Sequence, residues 1–496
     1  DDVASVGGHH GMTVLFGAAA TPEPLLRRQF PGGTPIEWSL CSPDAALQAA
    51  RVTGGATFLQ TEHVVTSTAA RARGDEHRSV VGAVARFDTT LDPVAMAAAL
   101  TAFVQRHDEL RSFYTLGEVG VERRVIPQTH VEMVAQWPLG RDRKVDAEEA
   151  GDYLANRISV TTAFDSPQSM HFGAFDGDGG FTFYLGADHV HGDGYSLWLA
   201  MDEINALYRA ETSGTSATLT EVASFGNYVA DEHRRAARVR ADDIGVKAWR
   251  EALAIKGSLP DSPVPLGLHD DAPAPAVRCR RDLLTADEAD ALDVVSASSS
   301  WVTIAGCLFS ALASAQYICT GEKRFFTTTA LATRGIEFEF TQGWACNFAP
   351  VYFDVDPGAD PIELARTASV AVKRAKNAAA APIGAVLQVL ARSGELPQMA
   401  GSPQMVTYID HRRLPGIDDP TVGTTVGFPG IGKTKNSNLW LSRMVDGLVV
   451  ESQIPDNDVA RAHIERYLDT VAAQLRALLE SADSAVTAIA GTRVRQ

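Results

Sequence analysis

The feature that most constrains the fold is a stretch rich in proline, glycine and aspartate at residues 257–276, "GSLPDSPVPLGLHDDAPAPA". It lacks the periodic spacing of apolar residues found in helices and strands, so it is predicted to be a linker. Patterns typical of strands and of helices occur on both sides of it. The chain has 496 residues, which is too many for one ordinary hydrophobic core, so the sequence predicts two large domains. The mixture of strands and helices predicts the α/β class, built as α+β layers.

Before the linker, strand and helix patterns alternate. The valine-rich segment 79–88 is predicted to be a strand. Asp92 and Pro93 supply a helix cap and a first-turn proline for the apolar helical pattern that follows. Residues 170–190 contain two β-rich runs around "DGDGG" and predict a hairpin. An amphipathic helix is expected to begin near Gly194.

After the linker, the same mixture returns. Thr285 and Glu288 have the spacing of a capping box at the start of a helix. A strand is predicted over 324–334, a loop and a strand over 343–355, and a hairpin over 438–454. A long helical pattern of apolar residues closes the chain.

The charge and hydropathy of the chain exclude two classes of protein. The net charge is −17, which argues against a general nucleic-acid binder because such a protein needs a basic face to displace phosphate counterions. There is no uninterrupted apolar run of about 18 residues, so no membrane span is predicted. Local basic clusters at 233–240, 278–281 and 410–413 are either solvated faces or landing places for an acidic ligand.

Five scattered cysteines without a CxxC pair fit a reducing compartment. Cys307 lies in an apolar helical pattern and is predicted to be core. Residues 1–11, ahead of Met12, resemble a vector-derived extension and are left out of the fold prediction. No secretion signal is recognised after Met12, so we expect a cytoplasmic protein.

The residues richest in chemistry form the turn "DHVHGDG", 188–194, between a predicted strand and a predicted helix. One hypothesis is a metal site, because His189-x-His191-x-Asp193 has the spacing of the zinc-binding HxHxDH motif. The closing histidine of that motif is Gly194 here, and no convincing downstream ligands follow. We therefore predict no metal.

Two other interpretations of the turn remain open. In the first, His189 is a satisfied histidine at a strand end and Asp193 only caps the helix. In the second, His189 is a general base, since neutral imidazole has a reference pKa of about 6.5 and accepts protons near neutral pH. The chain has no GxSxG elbow, Walker loop or GxGxxG after a strand, which favours direct attack assisted by histidine.

The turn is similar to the HHxxxDG signature of condensation-domain and acyltransferase enzymes, with Asp188 in place of the first histidine. His189 matches the second histidine, Asp193 the aspartate and Gly194 the glycine. "RHDELRSFY" at 106–114, and "ALATR" followed by "GWACNFAPV", resemble two further family segments in the same order. With the opening "PGGTPIEWSLCSP", the chain most resembles the polyketide-associated (Pap) acyltransferases of actinobacteria, which esterify sugar or lipid alcohols, sometimes trehalose.

The resemblance covers roughly residues 36–482. It implies two chloramphenicol acetyltransferase-like domains arranged as a V, with a tunnel between them. We therefore expect an N-terminal half at 12–215, connecting helices and the linker at 216–275, and a C-terminal half at 276–496.

For the site, the resemblance implies that His189 lies near the middle of the tunnel and deprotonates an alcohol or sugar as it attacks a thioester. The donor would be acyl-CoA or the phosphopantetheine arm of an acyl carrier protein of a polyketide synthase, with no tightly bound cofactor. The helix near Gly194 would help to bind the oxyanion. Asp193 is implied to be structural and to pair with Arg334, while Asp188 would shape the turn.

Four more residues are candidates for lining the tunnel or contacting substrate, with core packing as the alternative for each: His191, Trp344, Asn347 and Tyr408. Two rival functions also remain. One is an amide-forming condensation enzyme, which needs the same base. The other is a catalytically silent module that only binds a carrier protein.

Overall fold

A computed structural model describes residues 31–493, apart from 42, 53–54, 75–78, 119, 270–271, 398–401 and 431. The predicted extension at residues 1–11 lies outside the described residues.

The part of the chain before the linker contains these elements. The strands are β1 (Thr34–Leu40), β2 (Ala50–Val52), β3 (Val80–Phe87), β4 (Ser112–Gly117), β5 (Gly120–Val125), β6 (Met133–Gln136), β7 (Met170–Gly177) and β8 (Gly180–Asp188). The helices are α1 (Phe58–Ala72), α2 (Pro93–Arg106), α3 (Ala147–Thr161), α4 (Gly194–Ser213), α5 (Phe225–Ala236) and α6 (Ile244–Lys256).

The remainder of the chain continues the mixture. Its strands are β9 (Ala274–Thr285), β10 (Arg324–Ala332), β11 (Cys346–Asp354), β12 (Val406–Asp410), β13 (Val426–Pro429), β14 (Lys433–Thr434), β15 (Asn438–Met444) and β16 (Gly447–Pro455). Its helices are α7 (Ala286–Ser298), α8 (Ile304–Thr320), α9 (Pro361–Ala378), α10 (Ile383–Arg392) and α11 (Asp458–Arg493).

The first large sheet has the strand order β13-β3-β8-β7-β1-β6. β8 lies between β3 and β7, antiparallel to both, and all nine of its residues are buried. Helices α2 and α4 cover one face and α3 packs against β7. The strand that leads into the motif turn is therefore held by hydrogen bonds on both edges.

A second core lies largely beyond the linker. It combines the sheet β12-β15-β16-β9-β14 with the hairpin β10-β11 and the helices α7, α8, α9 and α11. Cys307 lies in this core, as predicted, and burial raises the pKa of its thiol to about 12. None of the five cysteines, all of which lie within the described residues, forms a disulfide.

The two cores are joined by a segment that returns from the second to the first. After β12, the chain crosses over, and β13 pairs with β3, Val426 opposite Val84. Val422, just before β13, packs within the first core. The residues expected in the C-terminal half thus contribute an edge strand to the N-terminal sheet.

The local sequence patterns predicted these elements well. The side chain of Asp92 accepts hydrogen bonds from the N–H groups of Val94 and Ala95, at 2.9 and 3.0 Å. Thr285 and Glu288 form the predicted capping box. Within the described residues, the segment 257–276 has no regular structure until β9 begins at Ala274, which pairs with β14, and pairing with β16 follows from Ala276. Of the helices in the described residues, none has the length and apolar content needed to cross a membrane.

Candidate active site

The motif turn begins where β8 ends. The backbone N–H of His189 donates to the carbonyl of Ser79 at 2.7 Å, which extends the pairing with β3 by one residue. His189–His191 form a short 3₁₀ turn, Gly192 is extended, and α4 begins at Gly194. The predicted order of strand, turn and helix is confirmed.

The two nitrogens of the His189 ring differ in their surroundings. Nδ1 is buried, whereas Nε2 is not a buried atom and makes no hydrogen bond to the residues that the structure describes. Trp344 covers the ring, with centroids 4.2 Å apart and planes inclined at 42°. The ring is thus fixed on one side while Nε2 stays open.

The pKa of His189 is lowered from its ordinary value of 6.5. Burial is the main cause because it disfavours the imidazolium, and the nearby His63 acts in the same direction. The ring is therefore neutral at neutral pH and able to accept a proton.

Asp193 and Arg334 form the pair that the resemblance implied. Nη1 of Arg334 lies 2.6 Å from Oδ2 of Asp193, and the two side chains are 5% and 13% exposed. Ala345 donates its backbone N–H to the same oxygen at 3.0 Å, while Oδ1 accepts from the N–H of Ser196 at 3.0 Å. Burial by itself would raise the pKa of Asp193, but Arg334 and these hydrogen bonds hold it below its ordinary value. One carboxylate thus caps α4 and ties it to the loop before β11.

Ser196 completes this connection and was not singled out from the sequence. Its hydroxyl oxygen accepts from Nη2 of Arg334 at 2.7 Å and lies 2.9 Å from the carbonyl of Gly343. Gln342 donates to the carbonyl of Ser196 at 3.1 Å. The sequence gives no signal for this role of Ser196, because the residues that bind its hydroxyl group from the second half are far away along the chain.

Alanine substitutions at two glycines of the site, Gly194 and Gly343, are expected to have different effects on stability. A Cβ on Gly194 would meet no atom within 4 Å, whereas on Gly343, at φ +143°, it would lie 2.3 Å from the Phe225 ring. We expect Gly343→Ala to lower the free energy of unfolding by about 1–3 kcal/mol from the backbone conformation alone. Gly194→Ala should unfold like the wild type, because its helical φ suits alanine. Denaturant unfolding of both variants tests this, and equal midpoints would contradict it.

Asp188, which stands in place of the first motif histidine, is buried and paired. Its Oδ1 accepts from the N–H of Val190 at 3.0 Å and lies 2.6 Å from Nε2 of His63 on α1. His63 was missed by the sequence analysis, because a single histidine in a helical pattern does not reveal its tertiary partner.

His191 is fully buried, which supports packing rather than a place in the tunnel. Its Nδ1 lies 3.2 Å from Oε1 of Glu109, and its ring packs against Tyr114. Gln60 on α1 donates to Glu109 and to the carbonyl of Val190, at 3.2 and 2.8 Å. This buried polar cluster holds the turn through its contacts with His191 and with the backbone of Val190.

The three other candidates have different positions. Trp344 contacts His189 directly. The amide nitrogen of Asn347 donates to two backbone carbonyls at 2.8 Å, and its oxygen accepts from two backbone N–H groups. With its hydrogen-bonding capacity used by protein groups, Asn347 holds β11 to the segment before α10 rather than contacting substrate. Tyr408 is half-buried in β12 against the second core, where burial raises its pKa.

Across the described ranges, no three His, Cys, Asp or Glu side chains are grouped so that they could hold a metal ion. His189, His191 and Asp193 instead face different partners: Trp344, Glu109 and Arg334.

The model of the Condensation domain family matches residues 68–399. Among curated proteins, the chain is 26% identical over 430 residues to 2'-acyl-2-O-sulfo-trehalose (hydroxy)phthioceranyltransferase PapA1 of Mycobacterium tuberculosis, covering 84% of this chain and 80% of that protein. It is 22% identical over 465 residues to Acyltransferase PapA3 of the same organism, covering 90% and 94%.

Solved structures show the same fold. PapA2 acyl transferase superposes with a TM-score of 0.79 at 21% identity, covering 94% of this chain and all of that one. The first condensation domain of the calcium-dependent antibiotic synthetase gives 0.65 at 19% identity, covering 86% and 96%. The predicted α/β fold with two chloramphenicol acetyltransferase-like domains is confirmed.

Proposed function

The chain belongs to the condensation-domain family and is related to named acyltransferases, and from that premise we propose that it moves an acyl group from a thioester to a hydroxyl acceptor with His189 as general base. The observation that carries the proposal is the His189 ring: Nε2 is open, Trp344 fixes the ring, and the lowered pKa keeps it neutral.

The reaction balances with this one base. Nε2 of His189 takes the proton of the acceptor hydroxyl while the hydroxyl oxygen attacks the thioester carbonyl carbon. The tetrahedral oxyanion collapses, the C–S bond breaks, and the leaving thiolate takes the proton back from the imidazolium. The products are an ester and a free thiol.

The start of α4 is suited to the oxyanion. The first N–H groups of a helix have no partner within the helix, and the helix dipole is positive there. Asp193 would repel an anion at this point if its charge were not compensated by Arg334 at 2.6 Å. Gly194 adds no side chain to the approach.

We place the substrates in the tunnel implied by the resemblance, between the halves 12–215 and 276–496 with 216–275 connecting them. His189 from the first half meets Trp344 from the second, which supports a site at their junction. The donor would be acyl-CoA or a carrier-protein thioester, without a tightly bound cofactor. PapA1 is named for an acylated, sulfated trehalose, and we infer a sugar or lipid alcohol as acceptor here. Cysteines that form no disulfide are consistent with a cytoplasmic reaction.

The test is turnover of the purified protein with acyl-CoA and with a carrier-bound acyl thioester, each against a panel of sugars, alcohols and amines. Mass spectrometry of the products distinguishes ester from amide. Ester formation supports the proposal, and a preference for amines would point to the amide-forming alternative. Binding of the carrier protein without any product would favour the silent module and contradict the proposal.

The rate should depend on pH with a defined sign. Because the pKa of His189 is lowered below 6.5, the base is already neutral at pH 7, so kcat/KM should stay level down to about pH 6.5 and fall only below it. A profile of kcat/KM from pH 5 to 9 checks this. A loss of activity centred above pH 7 on acidification would contradict it.

A further inference from the structure

Helix α1 brings an imidazole against the motif turn from outside the motif. Nε2 of His63 lies 2.6 Å from Oδ1 of Asp188, and their side chains are only 2% and 5% exposed. The imidazole nitrogen thus gives the buried Asp188 carboxylate a close polar partner, which a carboxylate inside a protein requires.

Through Asp188, His63 acts on the backbone that carries His189. The oxygen that contacts His63 also accepts the N–H of Val190 at 3.0 Å. Asp188 precedes His189 in the chain and Val190 follows it, so this oxygen ties together both neighbours of His189. His63 fixes the position of that oxygen.

His63 also supports the ring that covers His189. Trp344 packs against both imidazoles: its centroid is 6.2 Å from that of His63, at 82°, and 4.2 Å from that of His189. Phe164 also packs edge-on against His63, with ring centroids 6.4 Å apart. A displaced His63 would free both the turn and Trp344.

The charges around His189 come from several elements. The titratable and charged groups that face it are Asp188 on β8, Asp193 with its partner Arg334, and His63 on α1. Asp193 pairs with Arg334, whereas the group among these that contacts Asp188 is His63.

We propose that His63 is a positioning residue for His189: it contacts the Asp188 carboxylate that holds the turn, and it packs against Trp344. The motif of related enzymes has a histidine where this chain has Asp188. Here the carboxylate occupies the turn and the imidazole comes from α1. The consequence for turnover rests on the function proposed above, but the effect on the His189 ring does not.

His63→Leu removes a group that lowers the pKa of His189 and leaves the Asp188 carboxylate beside the ring without its imidazole partner. A nearby negative charge favours the imidazolium, so the pKa of His189 should rise. Turnover near neutral pH should fall by about 10- to 100-fold, the range observed when groups that orient metal-bound histidines are removed. His63→Leu combined with Asp188→Asn should bring the pKa back, because the Asp188 charge, which raises the pKa of His189, is then absent as well.

The matched control is another buried histidine–carboxylate pair. His107 lies 2.7 Å from Glu203, with side chains 1% and 4% exposed, between α2 and α4. His107→Leu breaks an equally buried pair away from the turn. It should lower stability to a similar degree and leave the titration of His189 unchanged.

The decisive measurement is an NMR titration of the full chain labelled at histidine Cε1, with the His189 signal assigned from its absence in His189→Ala. A raised His189 pKa in His63→Leu, but not in His107→Leu, supports the inference. An unchanged His189 pKa in folded His63→Leu overturns it, whether or not the protein turns over. A shifted titration in a protein with no turnover would support the positioning and contradict the proposed function.

Discussion

Replacing His189 with alanine is expected to lower turnover of a thioester and a hydroxyl acceptor by about 10²–10⁴-fold, the contribution of a positioned general base. The reason is that Nε2 of His189 is the open nitrogen of a ring held neutral by burial and covered by Trp344. The measurement is the initial rate of thiol release at saturating donor, with the ester product quantified by mass spectrometry.

The fold should survive this substitution. The His189 side chain makes no hydrogen bond within the described residues, and the turn is held by Asp188, Val190 and the backbone contact to Ser79. His130→Ala, at an exposed histidine of the same half, is the matched control and should keep the wild-type rate. Equal rates for wild type and His189→Ala would end the catalytic hypothesis.

The second large effect is expected at Asp193. Asp193→Ala removes one partner of a buried pair and leaves the Arg334 guanidinium without a carboxylate to balance its charge. The loss should lower the free energy of unfolding by about 3–5 kcal/mol. Activity is lost with it because the carboxylate holds both the start of α4 and the loop at Ala345. Denaturant unfolding followed by circular dichroism measures the change.

A helix-capping aspartate without an ion pair provides the control. Asp92 caps α2 through Val94 and Ala95, and Asp92→Ala should cost about 1 kcal/mol, the usual value for a lost cap. The difference between the two variants isolates the pair with Arg334. If Asp193→Ala unfolds like the wild type while only its turnover falls, Asp193 has a chemical role and the structural assignment is wrong.

The outcome at the motif turn shows how far local patterns reach. The hairpin β7–β8, the cap at Asp92 and the capping box of Thr285 follow from residues within a few positions of one another, and the sequence predicted all three. The family resemblance added the pairing of Asp193 with Arg334. His191 and Asn347, which sequence spacing left open between substrate contact and packing, are both engaged by protein groups.

What the sequence by itself determined is the order of strands and helices, the mixed class of the fold and the motif that contains His189. These depend on short-range periodicity and capping, which neighbouring residues decide. Only the tertiary structure decided that His63 holds Asp188, that Trp344 covers His189, that Ser196 joins Arg334, and that β13 completes the first sheet. Each of these contacts joins segments far apart in the chain, and their meeting depends on how the two cores pack together, a property that no local window of residues encodes.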